Sequence, residues 1–397
     1  MKSLNPHIGI YGRRNNGKSS LINSLSFQDT AIVSNIAGTT TDPVKKSIEM
    51  FGLGPVVLID TAGIDDSGEL GEKRILRTKK TIEQIDLAIL VLSQNVFGNF
   101  EEQLISNFQE YDLPYIIVHN KKDIEVCSKE LKDQILNQYN QSVLDYSSMD
   151  SEMSSILSDL IIEKTPKTAY TNPSLFSDLA SKGDVVLLIT PIDTEAPEGR
   201  MILPQVQAIR DVLDNDAICV VVKETEVEAF LSKTQIKPVI AVTDSQIFKL
   251  ADSLIPKDVP LTSFSTLLAR YRGDFDAYLE GTSNLENLKA GDRVLILESC
   301  THHTTCDDIG RVKIPNWMNG FTKQKIDYDV VAGLDQINRP INDYSIVIQC
   351  GGCMITRQQL RNRLHSAIKA GVPVTNYGMA IAYMNGIYKR AIAPFEK

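Results

Sequence analysis

The stretch Gly12-Arg13-Arg14-Asn15-Asn16-Gly17-Lys18-Ser19 fits G-x-x-x-x-G-K-[ST] at every fixed position. It follows an apolar run, His7-Ile8-Gly9-Ile10-Tyr11, and a helical pattern opens near Lys18. A loop of this kind works between a buried strand and a helix. Its glycines let backbone N–H groups turn inward around phosphate, and the helix N-terminus adds positive potential. The feature commits the N-terminal part to an α/β fold with a mostly parallel sheet. Val56-Val57-Leu58-Ile59, Leu87–Leu92 and Tyr115-Ile116-Ile117-Val118 agree, being apolar runs of the buried-strand type.

The loop implies a nucleotide with Mg2+. Lys18 is expected to reach the β- and γ-phosphates and Ser19 to bind Mg2+, with Gly12, Asn15, Asn16, Gly17 and Ser20 completing the cradle. Asn120-Lys121-Lys122-Asp123 follows a strand and fits N-K-x-D. A carboxylate there accepts hydrogen bonds from the N1–H and N2–H2 edge of guanine, which adenine lacks, so the expected ligand is GTP or GDP. Ser147 and Ser148, after Tyr146, are expected to form a second base-contacting loop. Asp60-Thr61-Ala62-Gly63 ends another strand and matches D-x-x-G, with Asp60 near Mg2+ and the Gly63 N–H at the γ-phosphate. Gly38-Thr39-Thr40-Thr41-Asp42-Pro43 supplies the first switch; Thr40 is the preferred Mg2+ ligand, with Thr39 and Thr41 as rivals. Lys18, Thr40, Asp60 and Gly63 form the expected hydrolytic set.

Where Ras-type GTPases carry a water-orienting glutamine, this chain has Ile64. With its GTT-x-D-P-like switch, the N-terminal part resembles the TrmE–Era branch of GTPases. The resemblance implies slow hydrolysis stimulated by K+, held by an asparagine at the fourth loop position, here Asn15. The alternative for Asn15 is a loop residue selected for its turn chemistry.

At 397 residues the chain exceeds one typical domain. Three are expected: 1–165, the nucleotide domain; 166–257, a small α/β unit; and 258–397, a further α/β unit. The stretch Lys164-Thr165-Pro166 to Asn172-Pro173 reads as a linker. In the middle unit, strands are expected at Val185 to Ile189, Ala217 to Val222 and Pro238 to Val242, and helices at Pro204 to Leu213 and Glu226 to Lys233. This unit carries no chemistry-bearing motif and reads as structural or dimer-forming. In the last unit, strands are expected around Arg293–Leu297, Asp329 to Val331 and Tyr344 to Ile348, followed by a helix with Gln358, Leu360, Leu364 and Ile368 in register. A net charge of −9 argues against general affinity for nucleic acid or anionic membrane. With no apolar run of signal or membrane-span length, a cytoplasmic protein is expected.

In a reducing compartment, Cys350-Gly351-Gly352-Cys353 reads as metal-binding or redox-active. It follows one apolar run, and Cys300 follows another, so three cysteines lie just past strand ends. They suit zinc or an iron–sulfur cluster, and spacing does not choose between them. Alternatives are a redox dithiol or buried thiols. Thr356 is expected to cap the next helix, whose N-terminus favours thiolate. The loop Thr301-His302-His303-Thr304-Thr305-Cys306-Asp307-Asp308 holds the candidates for a fourth ligand. Cys127, Cys219, His7, His119 and His365 read as structural.

Cys300-Thr301-His302, then 46 residues, then Gln349-Cys350-Gly351-Gly352-Cys353 resembles the C-x-H…H-C-x-x-C pattern of the HydF family, the GTPase maturation factors of [FeFe]-hydrogenases. Asp307 to Pro315 and Pro260 to Ser265 add to the likeness. It implies GTPase, dimerisation and [4Fe-4S] cluster-binding domains in that order. It also implies a homodimer that works with radical-SAM maturation enzymes and delivers a two-iron precursor to apo-[FeFe]-hydrogenase. Cys300, Cys350 and Cys353 take the positions of the family's cysteines. Gln349 replaces the family's histidine, and an amide is a poor iron ligand; suspicion moves to Asp307 first, then to His302, Cys306 or an exchangeable ligand. The alternative is an Era- or TrmE-like ribosome- or tRNA-associated GTPase with a structural zinc site.

Overall fold

A computed structural model describes residues 5–26, 44–61, 78–171, 174–192, 201–299 and 308–396, with the backbone alone of 34–36. Thr39, Thr40, Thr41, Gly63, Ile64, Cys300, His302, His303, Cys306 and Asp307 lie outside the described residues. The chain divides into two compact units, Met1–Asn172 and Pro173–Lys397.

The first unit is built on a seven-stranded sheet of order β2-β3-β4-β1-β5-β6-β7. The strands are β1 His7–Tyr11, β2 Ser34–Ile36, β3 Val44–Met50, β4 Gly54–Asp60, β5 Leu87–Leu92, β6 Tyr115–His119 and β7 Val143–Asp145. Among the described residues, only the β2–β3 and β3–β4 pairings of this sheet are antiparallel. Every residue of β5 is buried, because a parallel strand at the sheet centre is covered on both faces. Alternate side chains feed two cores. Leu87, Ile89 and Val91 join Ile8 and Ile10 on one face; Ala88, Leu90 and Leu92 join Tyr11 and Ile59 on the other.

The second unit holds two four-stranded sheets, parallel throughout. One has the order β11-β10-β8-β9, with β8 Val185–Ile189, β9 Ile218–Val222, β10 Ile240–Thr243 and β11 Leu261–Ser263. The other has the order β13-β12-β14-β15, with β12 Arg293–Leu297, β13 Asp327–Val331, β14 Ile346–Gln349 and β15 Val374–Asn376. β11 lies beyond residue 258, yet it pairs with β10. The helix Phe264–Arg272 then serves both sheets. Its Phe264, Leu267 and Leu268 pack with Val186 and Leu188, and its Ala269 packs with Leu295 and Leu297.

The helix after the Cys-x-x-Cys loop spans Arg357–Lys369. Its apolar face differs from the expected one. Leu360, Leu364 and Ala367 are buried, whereas Ile368 is 40% exposed. The first three are spaced four and then three residues apart on one face, and Ile368 sits about 100° further round. Among the described residues, no helix is long and apolar enough to cross a membrane.

Candidate nucleotide site and cysteine centre

The phosphate loop joins β1 to the helix Lys18–Ser26, as its sequence requires. Gly12 has φ +138, and a Cβ there would sit 2.2 Å from the Val91 carbonyl oxygen, so no side chain fits. Asn15 has φ +65. Asparagine tolerates that left-handed conformation, which gives the residue a backbone reason to be there. Asn16 is used internally rather than toward a ligand: its Nδ2 donates to Val91 O at 2.7 Å, and its Oδ1 accepts from Ser93 Oγ at 2.8 Å. Lys18 is buried, and its Nζ donates to the carbonyls of Gly12 and Arg13, the latter at 2.9 Å. Ser19 and Ser20 are exposed.

Ser19 Oγ donates to Asp60 Oδ2 at 2.9 Å. The two expected Mg2+-binding groups therefore stand together, although 41 residues separate them. The base motif is assembled in the same way. Asp123 Oδ1 accepts from Ser147 Oγ at 2.6 Å, and Asn120 Nδ2 donates to Asn16 O at 2.9 Å. Ser148 Oγ approaches Asn120 Oδ1 at 3.4 Å. These bonds join the phosphate loop, N-K-x-D and Ser147-Ser148 into one connected rim. Sequence reasoning missed the strut behind the loop, where Arg13 forms a bidentate pair with the fully buried Glu101, at 2.7 and 2.8 Å. No local pattern ties those positions together.

His119, Cys127 and Asp145 bring one ligand-type atom each within 4.8 Å of one another, just behind the base-reading loops. The hydrogen bonds argue for a strut and against a cation site. His119 Nε2 accepts the Asn95 N–H at 3.3 Å, which leaves the ring proton on Nδ1. The ring thus turns a donor, not a lone pair, toward Asp145 Oδ1 at 3.7 Å. Asp145 already accepts from Cys127 N at 3.0 Å and Lys132 Nζ at 2.5 Å. Burial lowers the pKa of His119, keeping the ring neutral.

In the second unit, β12 and β14 are parallel neighbours with Leu297 opposite Gln349. Their carboxyl ends bring Ser299 and Cys350 together. Cys350 Sγ accepts the Ser299 N–H at 3.1 Å and lies 3.0 Å from Ser299 Oγ. Gln349 is fully buried; its Nε2 donates to Ser299 Oγ at 3.0 Å, to Cys350 O at 3.2 Å and toward Cys350 Sγ at 3.5 Å. Cys350 and Cys353 are free and half-buried. The buried Arg272 binds the loop between and after them, donating to Gly352 O at 2.7 Å and Ile355 O at 3.1 Å.

Thr356 caps the following helix as expected, in a reciprocal box with Gln359. The expected gain in thiolate character is outweighed. The Cys353 thiol is pushed up to about 11, chiefly by burial and then by the Cys350 sulfur, with the Arg272 guanidinium opposing the rise. Donors converging on Cys350 and a cation against the loop suit a soft metal centre, where thiolate must be held as an anion.

Fold and motifs define a P-loop GTPase domain followed by two parallel α/β sheets. Residues 7–121 match the 50S ribosome-binding GTPase family, residues 175–273 the Hydrogen maturase F dimerization domain, and residues 276–394 the Hydrogen maturase F tetramerization domain. The last two matches take up more than half of the chain together, and the chain belongs to the hydrogen maturase F (HydF) family. The tetramerization match falls on the cysteine-bearing sheet, a second oligomerisation segment that the sequence reading did not foresee. GTPase Der of Wolinella succinogenes is 42% identical over 130 residues, 32% of this chain and 27% of that protein. The tRNA modification GTPase MnmE of Coxiella burnetii is 42% identical over 132 residues, 32% of this chain and 29% of that protein. The chain thus spans less than a third of the length of these relatives. Among solved structures, an Era variant of Aquifex aeolicus bound to GDP.AlF4- is 18% identical with a TM-score of 0.33, covering 55% of this chain and 92% of that one. The G domain of the T. maritima FeoB iron transporter is 23% identical with a TM-score of 0.29, covering 40% and 98%.

Proposed function

We propose that this chain is a cytoplasmic, GTP-hydrolysing scaffold that carries a [4Fe-4S] cluster during [FeFe]-hydrogenase maturation. In this reading it receives a two-iron precursor made with radical-SAM maturation enzymes and delivers it to apo-[FeFe]-hydrogenase. The observation that carries the reading is the coexistence, in a HydF-family chain, of an assembled guanine-nucleotide rim and a cysteine loop supplied with hydrogen-bond donors. Three functional segments follow from it: 1–165 for the nucleotide, 166–257 for dimer formation and 258–397 for the cluster.

In the first segment Lys18 neutralises phosphate charge, and Ser19 and Asp60, which are hydrogen-bonded to each other, share Mg2+, with Thr40 as the switch I ligand and Gly63 at the γ-phosphate. Asp123, oriented by Ser147, reads the guanine edge. Asn15 holds K+. Cys300, Cys350 and Cys353 hold the cluster, leaving one position for a weaker ligand, Asp307 or His302, that an incoming group can displace. The nucleotide state times partner association or release.

Anaerobic incubation with iron and sulfide, followed by metal analysis and electron paramagnetic resonance, tests the cluster. The expected result is a brown protein with four irons per chain and a signal that changes on adding imidazole. A colourless protein with one tightly bound zinc points instead to a structural site, and Cys353→Ser retaining full iron removes that residue from the ligand set. GTP hydrolysis in equimolar sodium and potassium tests the ion. Equal rates, or an Asn15→Ala variant that keeps its potassium response, reject it.

A further inference from the structure

Gln349 stands where a metal-binding histidine is expected, and its surroundings give it another task. It is fully buried at the end of β14, and its carbonyl accepts Asn376 Nδ2 at 3.2 Å, fixing the backbone beneath the side chain. Its Nε2 reaches Ser299 Oγ, Cys350 O and Cys350 Sγ. Ser299 is 3% exposed and addresses Cys350 Sγ through both its N–H and its hydroxyl. With Cys350 as a thiol, the S–H donates to Ser299 Oγ. When a metal takes the sulfur, the thiol proton leaves to solvent and the Ser299 O–H turns to donate to the sulfur. Its oxygen still accepts Gln349 Nε2–H. The amide must then present its NH2 group, because a carbonyl oxygen would face an anionic sulfur. The result is a relay of donors, Gln349 to Ser299 to Cys350, in a buried setting that strengthens each bond.

The geometry points to Ser299 and Gln349 as positioning residues that orient the Cys350 sulfur and, through the donors they turn toward it, raise the reduction potential of the cluster it binds. This rests on the cluster reading above. A reduced cluster carries one more negative charge than the oxidised one, so N–H and O–H donors at a ligand sulfur favour reduction. Gln349 contributes through Ser299 and is not a ligand.

The test is a redox titration, monitored by electron paramagnetic resonance, of the full chain reconstituted anaerobically with iron and sulfide. Wild type, Ser299→Ala, Ser299→Thr and Gln349→Leu are compared at equal iron content. Ser299→Ala is expected to shift the midpoint to lower potential by about tenfold in the reduced-to-oxidised ratio, ~59 mV for one electron. Gln349→Leu shifts it the same way by less, and Ser299→Thr, which keeps the hydroxyl, stays near wild type. If Ser299→Ala takes up no iron while Ser299→Thr does, the hydroxyl is required for holding the sulfur, which supports the assignment. Unchanged potentials, equal shifts in both Ser299 variants, or loss of iron in Gln349→Leu to the extent of Cys353→Ser overturn it while leaving the cluster reading intact. A wild type that takes up no iron overturns the cluster reading and this assignment with it.

Discussion

The imidazole of His7 begins β1 with Nδ1–H donating to Asn5 O at 2.9 Å. Its pKa is lowered to about 4, chiefly by burial and secondly by the nearby Lys45, with the bond to Asn5 opposing the fall. The sign of its contribution follows. The unfolded chain binds a proton below about pH 6.5, and the folded ring resists until about pH 4. Stability from this group is full above pH 6.5 and is lost as pH falls through that window, by about 1–3 kcal/mol. Urea unfolding followed by circular dichroism at pH 7.5 and pH 4.5 is expected to show this loss reduced in His7→Gln, whose amide can still donate to Asn5 O. Arg272 is a buried cation whose pKa burial lowers and the Cys353 and Cys350 sulfurs raise; its guanidinium donates to the carbonyls of Gly352 and Ile355. Arg272→Met leaves the carbonyls of Gly352 and Ile355 without that donor and should cost about 2–4 kcal/mol. Trp317, the only tryptophan, lies in the second unit and reports the loss by its unfolding fluorescence; an unchanged midpoint rejects the role. Lys18, Ser19, Asp60 and Asp123 were legible because their motifs are local. Glu101, Ser299 and Arg272 were not, because their meaning comes from partners 88, 51 and 80 residues away.

Turns decide how these elements meet. Gly352 has φ +71, and a Cβ there would sit 2.2 Å from Cδ1 of Leu360, itself buried in the next helix. Gly183 has φ +84 with nothing within 4 Å of a Cβ. Gly183→Ala therefore isolates the backbone penalty, about 1–2 kcal/mol. Gly352→Ala adds a clash with the end of the buried Leu360 side chain, and is expected to cost about 1–3 kcal/mol more. Denaturant midpoints of the two variants, read at Trp317, compare them directly; equal losses would show that Leu360 yields freely. Strand legibility followed burial. β5 and β8 read as continuous apolar runs and were located to the residue. β3, Val-Lys-Lys-Ser-Ile-Glu-Met, is half solvated at the sheet's antiparallel margin and gave no such run. β15 is three residues long, too short for periodicity to register.

At the scale of the second unit, the two sheets carry separate family matches, and their cores nevertheless meet through shared helices. The helix Phe264–Arg272 buries Phe264, Leu267 and Leu268 against β8 of one sheet and Ala269 against β12 of the other. Ala382 and Ala391, which follow β15 in the chain, pack with Leu187 and Ala241 of the first sheet. β12 passes the connection onward, since Leu295 and Leu297 face the Ala269 side while Val294 and Ile296 face the core that holds Trp317. A packed interior transmits a local loss only if the parts unfold together. Leu267 is fully buried among residues of the first sheet, whereas Trp317 packs against the second. Leu267→Ala should remove about 2–5 kcal/mol from its own core. If the two sheets form one cooperative body, the Trp317 unfolding midpoint falls by the same free energy, and circular dichroism and fluorescence move together for this unit. If they are independent bodies, the Trp317 midpoint stays where it is in the unmutated chain. The shared helix predicts the first outcome, because unfolding either sheet strips apolar cover from the other.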